Sequence, residues 1–267
     1  DCKGACYPIA TLNGKEGCNL GQHASLQFHP STGVAYGIYH YFNVTHDVDF
    51  LLDYGFEMLL QISKFLLSRG QWSQDGKHFG FYCVMGPDEF QMMVNHNTYT
   101  NLMAKKTFEF TLSVMKKFND DPRIGKAFAK TGMSAKDMSE FARAADHTLI
   151  LYDDKTKLFE QHQGFFDLPH IDPDSIPVEE FPLYAHWSYD RIYRNDLVKQ
   201  PDVLMFMFLY SQDFSLEQKK ANYEFYEPRC IHESSLSPSI HSIFASELGK
   251  EKEALDFFGF ATRMDLD

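Results

Sequence analysis

Cationic side chains are in short supply in this sequence. The 25 Lys and Arg residues face 37 Asp and Glu residues, which gives a formal net charge of −12. Nucleic acids and anionic membrane surfaces bind clusters of Lys and Arg, and no notable cluster is present. The longest uncharged apolar run, 203–210, is far too short to span a bilayer, and no secretory signal is visible. We therefore expect no nucleic-acid partner and no membrane partner.

Cysteine is equally sparse. The chain has five, and both the odd number and the low density argue against a disulfide framework. This pattern predicts a reducing, cytoplasmic location. Cys2 and Cys6 have the spacing of a metal-binding pair, but no second pair follows, and the 12 His residues show no HExxH spacing. We therefore expect no metal site.

Signals for β-structure are weak, and both strand–helix alternation and a glycine-rich dinucleotide loop are missing. A short hairpin around Asp75-Gly76 is the one strand feature that we predict. Apolar periodicity instead predicts helices throughout the chain. The predicted helices run over 34–42, 49–68, 99–118, 134–151, 201–210, 215–226, 237–249 and 251–264.

Helix start and stop signals support these ranges. Ser134 with Asp137 and Ser215 with Gln218 resemble capping boxes, and Ser237 is the expected N-cap before Pro238. The four prolines of 152–199 exclude a single long helix there, and such long irregular regions are usually functional. The prediction is an all-α fold of antiparallel helix hairpins, with the chemically rich segments between the helices.

The most informative segment is Gly86-Pro87-Asp88-Glu89-Phe90, which follows an apolar run. Gly-Pro predicts a loop, and its two carboxylates lie among Phe, Met and Tyr residues. A carboxyl group against apolar walls keeps its proton toward neutral pH and can act as a general acid. The alternative is that Asp88 or Glu89 caps the next helix.

A second segment, 229–238, leads into a predicted helix N-terminus. Unpaired backbone N–H groups and the helix dipole favour an anion there. His232, Ser234 and Ser235 would add hydrogen-bond donors, and Arg229 would add charge. A phosphate site and a plain N-cap at Ser237 are both open interpretations.

A third segment, Lys199-Gln200, precedes the apolar run from 203. Its side chains offer several donors, which would suit the hydroxyls of a sugar. The alternative is a solvated lysine at an ordinary helix start with Pro201 at its first position. If the helices alternate in direction, Glu89, this pair and the 232–237 segment could share one face.

These motifs together resemble glycoside hydrolase family 65, the inverting disaccharide phosphorylases of the maltose, kojibiose, nigerose and trehalose type. The resemblance extends from about residue 4 to the C-terminus. Four segments carry it: Val84-Met-Gly-Pro-Asp-Glu-Phe90 with Asn97-Thr-Tyr-Thr-Asn101, Lys199-Gln-Pro-Asp-Val203, Asn222-Tyr-Glu-Phe-Tyr-Glu-Pro-Arg229, and His232-Glu-Ser-Ser-Leu-Ser-Pro-Ser-Ile-His241.

The resemblance implies an (α/α)6 barrel and assigns roles to individual residues. It implies Glu89 as the general acid, Lys199 and Gln200 as ligands of the transferred glucosyl unit, and His232, Ser234 and Ser235 as phosphate ligands. An inverting hydrolase needs a second carboxylate to activate water, whereas phosphate is itself an anionic nucleophile. The expected reaction is phosphorolysis of an α-linked glucose disaccharide to β-glucose 1-phosphate and a free sugar, and its reverse. No cofactor is expected beyond phosphate as co-substrate, and a homodimer is possible.

The sequence also departs from the family pattern. Complete family members have a β-sandwich domain before the barrel and an earlier Trp-Asp segment, for which we find no counterpart. The chain, which begins at Asp1 without Met, is therefore expected to be a single segment, 1–267, of an incomplete barrel, with uncertain activity in isolation. Ile9 and Gln91 stand where many relatives carry Trp and His.

Two other functions remain open. A hydrolase on the same scaffold would need a carboxylate base, for which Glu233 is the candidate. A non-catalytic carbohydrate-binding fragment would fit the missing barrel segment. Kojibiose and nigerose are slightly favoured over maltose as substrates, although no residue decides the linkage.

Overall fold

The computed structural model describes residues 2–18, 24–264 and 266. Most of these residues are helical, which confirms a predominantly α-helical chain. The α-helices are α1 (His29–Thr45), α2 (Val48–Phe50), α3 (Phe56–Arg69), α4 (Thr98–Lys117), α5 (Pro122–Thr131), α6 (Ala135–His147), α7 (Leu183–His186), α8 (Tyr189–Ile192), α9 (Asp202–Leu209), α10 (Leu216–Tyr226), α11 (Ser237–Glu247) and α12 (Glu251–Arg263). A π-helical segment, Leu51–Gly55, joins α2 to α3.

Among the residues that the structure describes, the strands are six two-residue pieces paired as three antiparallel hairpins. They are β1 (Thr11–Leu12) with β2 (Lys15–Glu16), β3 (Gln71–Trp72) with β4 (Phe79–Gly80), and β5 (Tyr152–Asp153) with β6 (Leu158–Phe159). The β3–β4 hairpin surrounds Asp75-Gly76 and confirms the one hairpin predicted from sequence. The other two hairpins were not predicted.

Capping chemistry sets several helix boundaries. Ser134 and Ser215 both form the predicted capping boxes, with Asp137 and Gln218 respectively. Each box satisfies backbone N–H groups that the first helical turn leaves without intrahelical acceptors. Helix α3 ends at Arg69 with Gly70 as its C-cap, one residue beyond the predicted end at 68.

The helix α5 was missed in the sequence analysis. Its N-cap is Asp121, whose carboxylate accepts from the backbone N–H of Arg123, and its C-cap is Gly132 in the left-handed conformation. These are ordinary start and stop signals. The predicted helix 99–118 ends just before Asn119-Asp-Asp-Pro122, so these residues are expected to end that helix, but they also begin α5.

The chain divides into two compact units. The first comprises 1–84 and 100–149, and the second comprises 85–99 and 150–267. In the first unit, α3 packs against α1, α5 and α6. Its buried residues recur at three- and four-residue spacing, as expected for one apolar face. Tyr54, which lies in the predicted helix 49–68, belongs to the π-helical segment and is largely exposed.

The second unit contains every predicted site residue. Helices α9, α10 and α11 pack against one another, and α12 packs along α11. The 152–199 region is irregular, as predicted, apart from β5, β6, short 3-10 turns, α7 and α8. A cluster of buried side chains anchors it, made of Phe90, Leu183, Trp187, Ile192 and Leu197. Phe90 thus fixes the loop 86–90 to the interior of this unit.

Within the described part of the chain, each helix is too short or too polar to cross a lipid bilayer.

Candidate active site

Asp88 is the structural centre of the loop 86–90. Its side chain is completely buried. Its Oδ1 accepts hydrogen bonds from the backbone N–H groups of Phe90 at 3.1 Å and Lys199 at 2.9 Å, and its Oδ2 accepts from Nε2 of Gln161 at 2.8 Å. A buried carboxylate is tolerated only when such donors surround it. Asp88 therefore joins the loop to the Lys199-Gln200 segment.

Asp202 completes this connection from the first turn of α9. Its Oδ1 accepts from the backbone N–H of Asp88 at 2.7 Å, and its Oδ2 accepts from Nδ2 of Asn97 at 2.6 Å. Gly86 lies against the same groups. A Cβ added there would lie 2.4 Å from Oδ2 of Asp202 and 2.6 Å from Nδ2 of Asn97. The loop therefore needs glycine at this position for steric reasons.

The two buried aspartates influence each other's protonation. Burial raises the pKa of Asp88, although hydrogen bonds from Lys199, Gln161, Phe90 and Gln200 oppose the effect. Burial raises the pKa of Asp202 further, and the negative charge of Asp88 adds to that shift. Because like charges at close range disfavour double ionisation, the pair favours a state in which Asp202 keeps its proton.

Glu89 points away from this buried pair and meets Lys199 and Gln200. Its Oε2 lies 2.5 Å from Nζ of Lys199 and accepts from Nε2 of Gln200 at 3.2 Å. The backbone N–H of Glu89 also donates to Oε1 of Gln200 at 3.1 Å. The side chain of Glu89 is 42% exposed, whereas that of Lys199 is 15% exposed. The structure thus brings together the predicted acid and both predicted sugar ligands.

The surroundings of Glu89 differ from our expectation. We expected apolar walls around the carboxyl group, but Glu89 is partly exposed and ion-paired with Lys199. It is the neighbouring Asp88 that is enclosed. The alternative for the third segment is also wrong, because Lys199 is mostly buried rather than solvated, with its Nζ 5.2 Å from the ring centre of Tyr184.

A short parallel pairing brings the third segment next to the second. The backbone N–H of Val198 donates to the carbonyl of Arg229 at 2.9 Å, and the N–H of Ile231 donates to the carbonyl of Val198 at 2.9 Å. Val198 and Cys230 therefore form a parallel bridge. Beyond the bridge, Lys199 and His232 occupy adjacent stretches of backbone.

His232 is held in an unusual backbone conformation. Its φ of 55° is in the left-handed region, which few residues other than glycine adopt. Its Nδ1 lies 2.7 Å from Oγ of Ser237. Burial lowers the pKa of His232 to about 3, with a smaller contribution from His241. The imidazole is therefore neutral near pH 7 and carries one N–H.

Ser237 corrects the expectation for this helix. It is the first residue of α11 and not its N-cap, which is Leu236 without a side-chain cap. Its buried hydroxyl contacts His232 instead. Ser234 and Ser235 precede the helix, where Ser234 is partly buried and Ser235 is exposed. Oγ of Ser234 accepts from the backbone N–H of Leu236 at 3.3 Å.

Arg229 does not add its charge to this segment as expected. Its Nε donates to Oδ2 of Asp196 at 2.8 Å, and its guanidinium group lies over the ring of Phe225. Asp196 is buried and also contacts His170. The role of Arg229 is therefore structural. The hydrogen-bond donors that remain in the 232–235 segment are neutral side chains.

Glu233, the candidate base of the hydrolase alternative, is partly buried. Its Oε1 accepts from the backbone N–H of Leu183 at 2.6 Å, while Oε2 is buried and has no hydrogen-bond partner among the described residues. Burial raises its pKa, and both the Leu183 N–H and the charge of Lys199 oppose the shift. Its carboxyl group thus anchors the start of α7.

Gln91, which the sequence analysis noted as a departure from the family pattern, is a buried residue. Its Nε2 donates to the carbonyl of Asn195 at 3.0 Å, and its Oε1 contacts Nε2 of His162 at 2.9 Å. Burial lowers the pKa of His162 to about 4, so this imidazole is neutral, and its Nδ1 lies 3.1 Å from the carbonyl oxygen of Gln163. Gln91 therefore shapes the site only through the packing behind it.

Three potential metal ligands lie in or next to the 232–237 segment. The sulfur of Cys230 and one ring nitrogen each of His232 and His241 all lie within 4.8 Å of one another. The spacing Cys-x-His followed by a His nine residues later could have been noticed in the sequence. We had considered only Cys2-x-x-x-Cys6 and HExxH patterns.

The sequence comparisons identify the family. The sequence model of the "Glycosyl hydrolase family 65 central catalytic domain" matches residues 1–267. The chain belongs to this family. It spans about a third of the length of the curated relatives it matches, at 35%, 34% and 31% of the three described next.

Three relatives of this family 65 chain are phosphorylases named for different disaccharides. It is 37% identical over 99% of its length to the alpha,alpha-trehalose phosphorylase of Thermoanaerobacter brockii and 35% identical over 99% to the maltose phosphorylase of Bacillus subtilis. It is 35% identical over 90% to the kojibiose phosphorylase of Halothermothrix orenii. A solved structure provisionally assigned as a kojibiose phosphorylase, from the human microbiome, is 61% identical. It has a TM-score of 0.94, and the match covers 99% of this chain and 36% of that one.

Proposed function

We propose that this family 65 chain carries the catalytic site for phosphorolysis of an α-linked glucose disaccharide, which yields β-glucose 1-phosphate and a free sugar, and for the reverse synthesis. The observation that supports this most directly is the contact of Glu89 with both Lys199 and Gln200, next to the segment that begins at His232. One acid, two sugar ligands and an anion site are the groups that phosphorolysis needs.

In this proposal Glu89 is the general acid. It gives its proton to the glycosidic oxygen as the bond from that oxygen to the anomeric carbon breaks. Lys199 and Gln200, which contact Glu89 in the structure, turn to the hydroxyls of the transferred glucose. Substrate binding therefore releases Glu89 from its ion pair, so that its carboxylate takes up a proton from solvent before it protonates the glycosidic oxygen.

Phosphate is the nucleophile and occupies the space near His232, Ser234 and Ser235. Because the imidazole of His232 is neutral, it can donate one hydrogen bond without adding charge. Lys199, one backbone stretch away, is the nearby cation. An oxygen of phosphate attacks the anomeric carbon from the side opposite the leaving group, so the configuration inverts and no carboxylate base is needed.

The remaining expectations follow the same proposal. The helix hairpins form part of an (α/α)6 barrel, and 1–267 is one segment of that catalytic domain, with no cofactor besides the co-substrate phosphate. We place the protein in the cytoplasm, as a possible homodimer. Its similarity to kojibiose, maltose and trehalose phosphorylases supports α-linked glucose disaccharides of this kind as the substrate class.

Hydrolysis is the second candidate, favoured by one observation. Oε2 of Glu233 is buried without a hydrogen-bond partner in the described part of the chain, so it could accept a proton from water. Against this, Oε1 of the same carboxyl group already accepts a hydrogen bond from the backbone N–H of Leu183. In a non-catalytic, carbohydrate-binding role, which is the third candidate, Glu89 would not be needed as an acid.

A product assay tests these candidates. The chain, and the longest natural protein that contains it, would be incubated with kojibiose, nigerose, maltose and trehalose, with and without phosphate. We expect β-glucose 1-phosphate only when phosphate is present. Glucose released equally without phosphate would replace phosphorolysis with hydrolysis, and sugar binding without any product would favour the binding role.

A further inference from the structure

Cys230, His232 and His241 form a compact set of side chains within the second unit. The sulfur of Cys230 lies 3.7 Å from Nδ1 of His232, and the two imidazole ring centres are 4.6 Å apart. The hydroxyl of Ser237 contacts all three residues: it lies 3.1 Å from the sulfur, 2.7 Å from Nδ1 of His232 and 3.3 Å from Nδ1 of His241. One thiol and two imidazoles, all of them groups that can bind a metal ion, therefore surround one small volume.

His241 has the hydrogen-bond arrangement of a metal ligand. It is 1% exposed, and its Nδ1 lies 2.8 Å from the carbonyl oxygen of Ser237, so Nδ1 carries the proton and donates it. The lone pair is then on Nε2, which is buried without a hydrogen-bond partner among the described residues. Histidines that bind metals usually donate their other ring N–H to a backbone carbonyl or a carboxylate.

The donor set decides which metal fits. One thiolate and two neutral imidazoles are the ligands of zinc and of other borderline or soft ions, and they do not suit calcium or magnesium. Burial lowers the pKa of His232 to about 3 and that of His241 to about 4, so both imidazoles are neutral. Only the thiol of Cys230 must lose a proton when the metal binds.

We propose that Cys230, His232 and His241 form a zinc site, with its fourth position open to water or to an external ligand. Zinc forms a bond to the Cys230 sulfur as the thiol proton passes to solvent, and no redox change occurs. Nδ1 of His232 exchanges the Ser237 hydroxyl for the metal. Ser237 then hydrogen-bonds to the ligand in the fourth position.

Zinc on Nδ1 of His232 would replace the Ser237 hydroxyl that holds this ring in place, and the ring would lose the position from which its N–H donates to phosphate. This consequence rests on the proposed function, in which His232 binds phosphate. Zinc is therefore an inhibitor here and not a catalytic cofactor. We expect zinc to inhibit formation of β-glucose 1-phosphate, and phosphate to raise the apparent Kd for zinc.

Cobalt(II) reports on the site without any assay of activity. The full chain would be titrated with Co²⁺ alone, and we expect one equivalent to produce a thiolate-to-cobalt charge-transfer band together with the intense visible bands of a four-coordinate ion. Zn²⁺ should displace the bound Co²⁺ and so abolish these bands. Their absence from the wild-type chain would overturn the proposal, whatever the enzyme assay shows.

Matched variants identify the ligands. Cys230→Ser should lose the charge-transfer band and become insensitive to zinc, whereas the double variant Cys2→Ser with Cys6→Ser, which removes two exposed thiols, should keep both properties. A band retained in Cys230→Ser would overturn the assignment. If circular dichroism shows that Cys230→Ser is misfolded, His241→Gln provides the test, with an expected loss of zinc affinity of about tenfold or more.

The phosphate effect is judged separately. If cobalt binds but phosphate leaves the zinc Kd unchanged in a chain that makes β-glucose 1-phosphate, the effect of zinc on phosphate binding by His232 is wrong. If no phosphate-dependent product forms at all, the proposed function fails and the cobalt bands still decide the metal site.

Discussion

The backbone N–H of Asp88 donates a 2.7 Å hydrogen bond to the carboxylate of Asp202, 114 positions further along the chain. The Asp88 carboxylate in turn accepts from the backbone N–H of Lys199. Each aspartate thus fixes the segment that carries a different candidate group, Glu89 in one case and Lys199 in the other. The geometry of the exposed site depends on a buried pair that does not contact the substrate in our proposal.

Gly86→Ala should destabilise the protein by about 1–3 kcal/mol. The added Cβ would lie 2.4 Å from Oδ2 of Asp202, a buried atom that is itself hydrogen-bonded. Urea denaturation of both proteins measures the difference in the free energy of unfolding. As the control, Gly125→Ala in α5 places a Cβ in open space, and it should stabilise the protein by about 0.5–1 kcal/mol. Equal effects of the two substitutions would contradict the close approach at Gly86.

Glu89→Gln should reduce kcat on the disaccharide by about 10²–10⁴, because the amide cannot protonate the leaving oxygen. With α-glucosyl fluoride, whose leaving group needs no proton, the rate should change little. The exposed Glu179→Gln is the matched control and should behave as the wild type. If Glu89→Gln lost both reactions equally, with an unchanged circular dichroism spectrum, Glu89 would be a binding residue and not the acid.

Ser234→Ala combined with Ser235→Ala should raise the KM for phosphate by about tenfold or more, since a hydrogen bond to a charged group contributes about 1.5–3 kcal/mol. The KM for the disaccharide should stay within about twofold. Ser239→Ala, an exposed serine in the first turn of α11, serves as the control. Initial rates over a grid of both substrates measure the two constants, and equal increases would argue against an anion site.

Asp202→Asn should change how stability depends on pH. Burial and the charge of Asp88 raise the pKa of Asp202 above its ordinary 3.8. Between pH 3.8 and the raised pKa, the folded state therefore holds a proton that the unfolded state has lost. The free energy of unfolding therefore falls as pH rises through this window. Denaturation at about pH 5 and about pH 8 should show the wild type losing about 1–3 kcal/mol relative to the variant.

The comparison with Asp202→Asn is needed because other buried groups act in the opposite direction. Burial lowers the pKa of His162, His232 and His241, which adds stability as pH rises through the ordinary value of 6.5. These contributions are common to both proteins and cancel in the difference. Parallel pH curves for the two proteins would show that Asp202 does not retain its proton.

Local signals allowed much of the helical structure to be predicted. Capping boxes at Ser134 and Ser215 depend on residues three positions apart, and both form as expected. The second of these gave the correct end at Tyr226 as well. Helix α5 was missed because its Asp121 and Pro122 were interpreted as terminating signals, although the same residues also begin helices.

The site was harder to predict where distant segments decide the outcome. Asp88 and Glu89 are adjacent carboxylates, and no local pattern tells which of them is buried. The answer depends on Lys199 and Asp202, more than a hundred residues away. In the same way, Ser237 before Pro238 has the pattern of an N-cap, but its hydroxyl contacts His232 instead.

The parallel bridge between Val198 and Cys230 is made by peptide groups, whose hydrogen bonds are the same for every side chain. The distance between the sugar-binding half of the proposed site and its anion-binding half therefore does not depend on the side chains at these two positions. A substitution at either position that keeps the backbone N–H would therefore leave the spacing between the two halves of the proposed site unchanged.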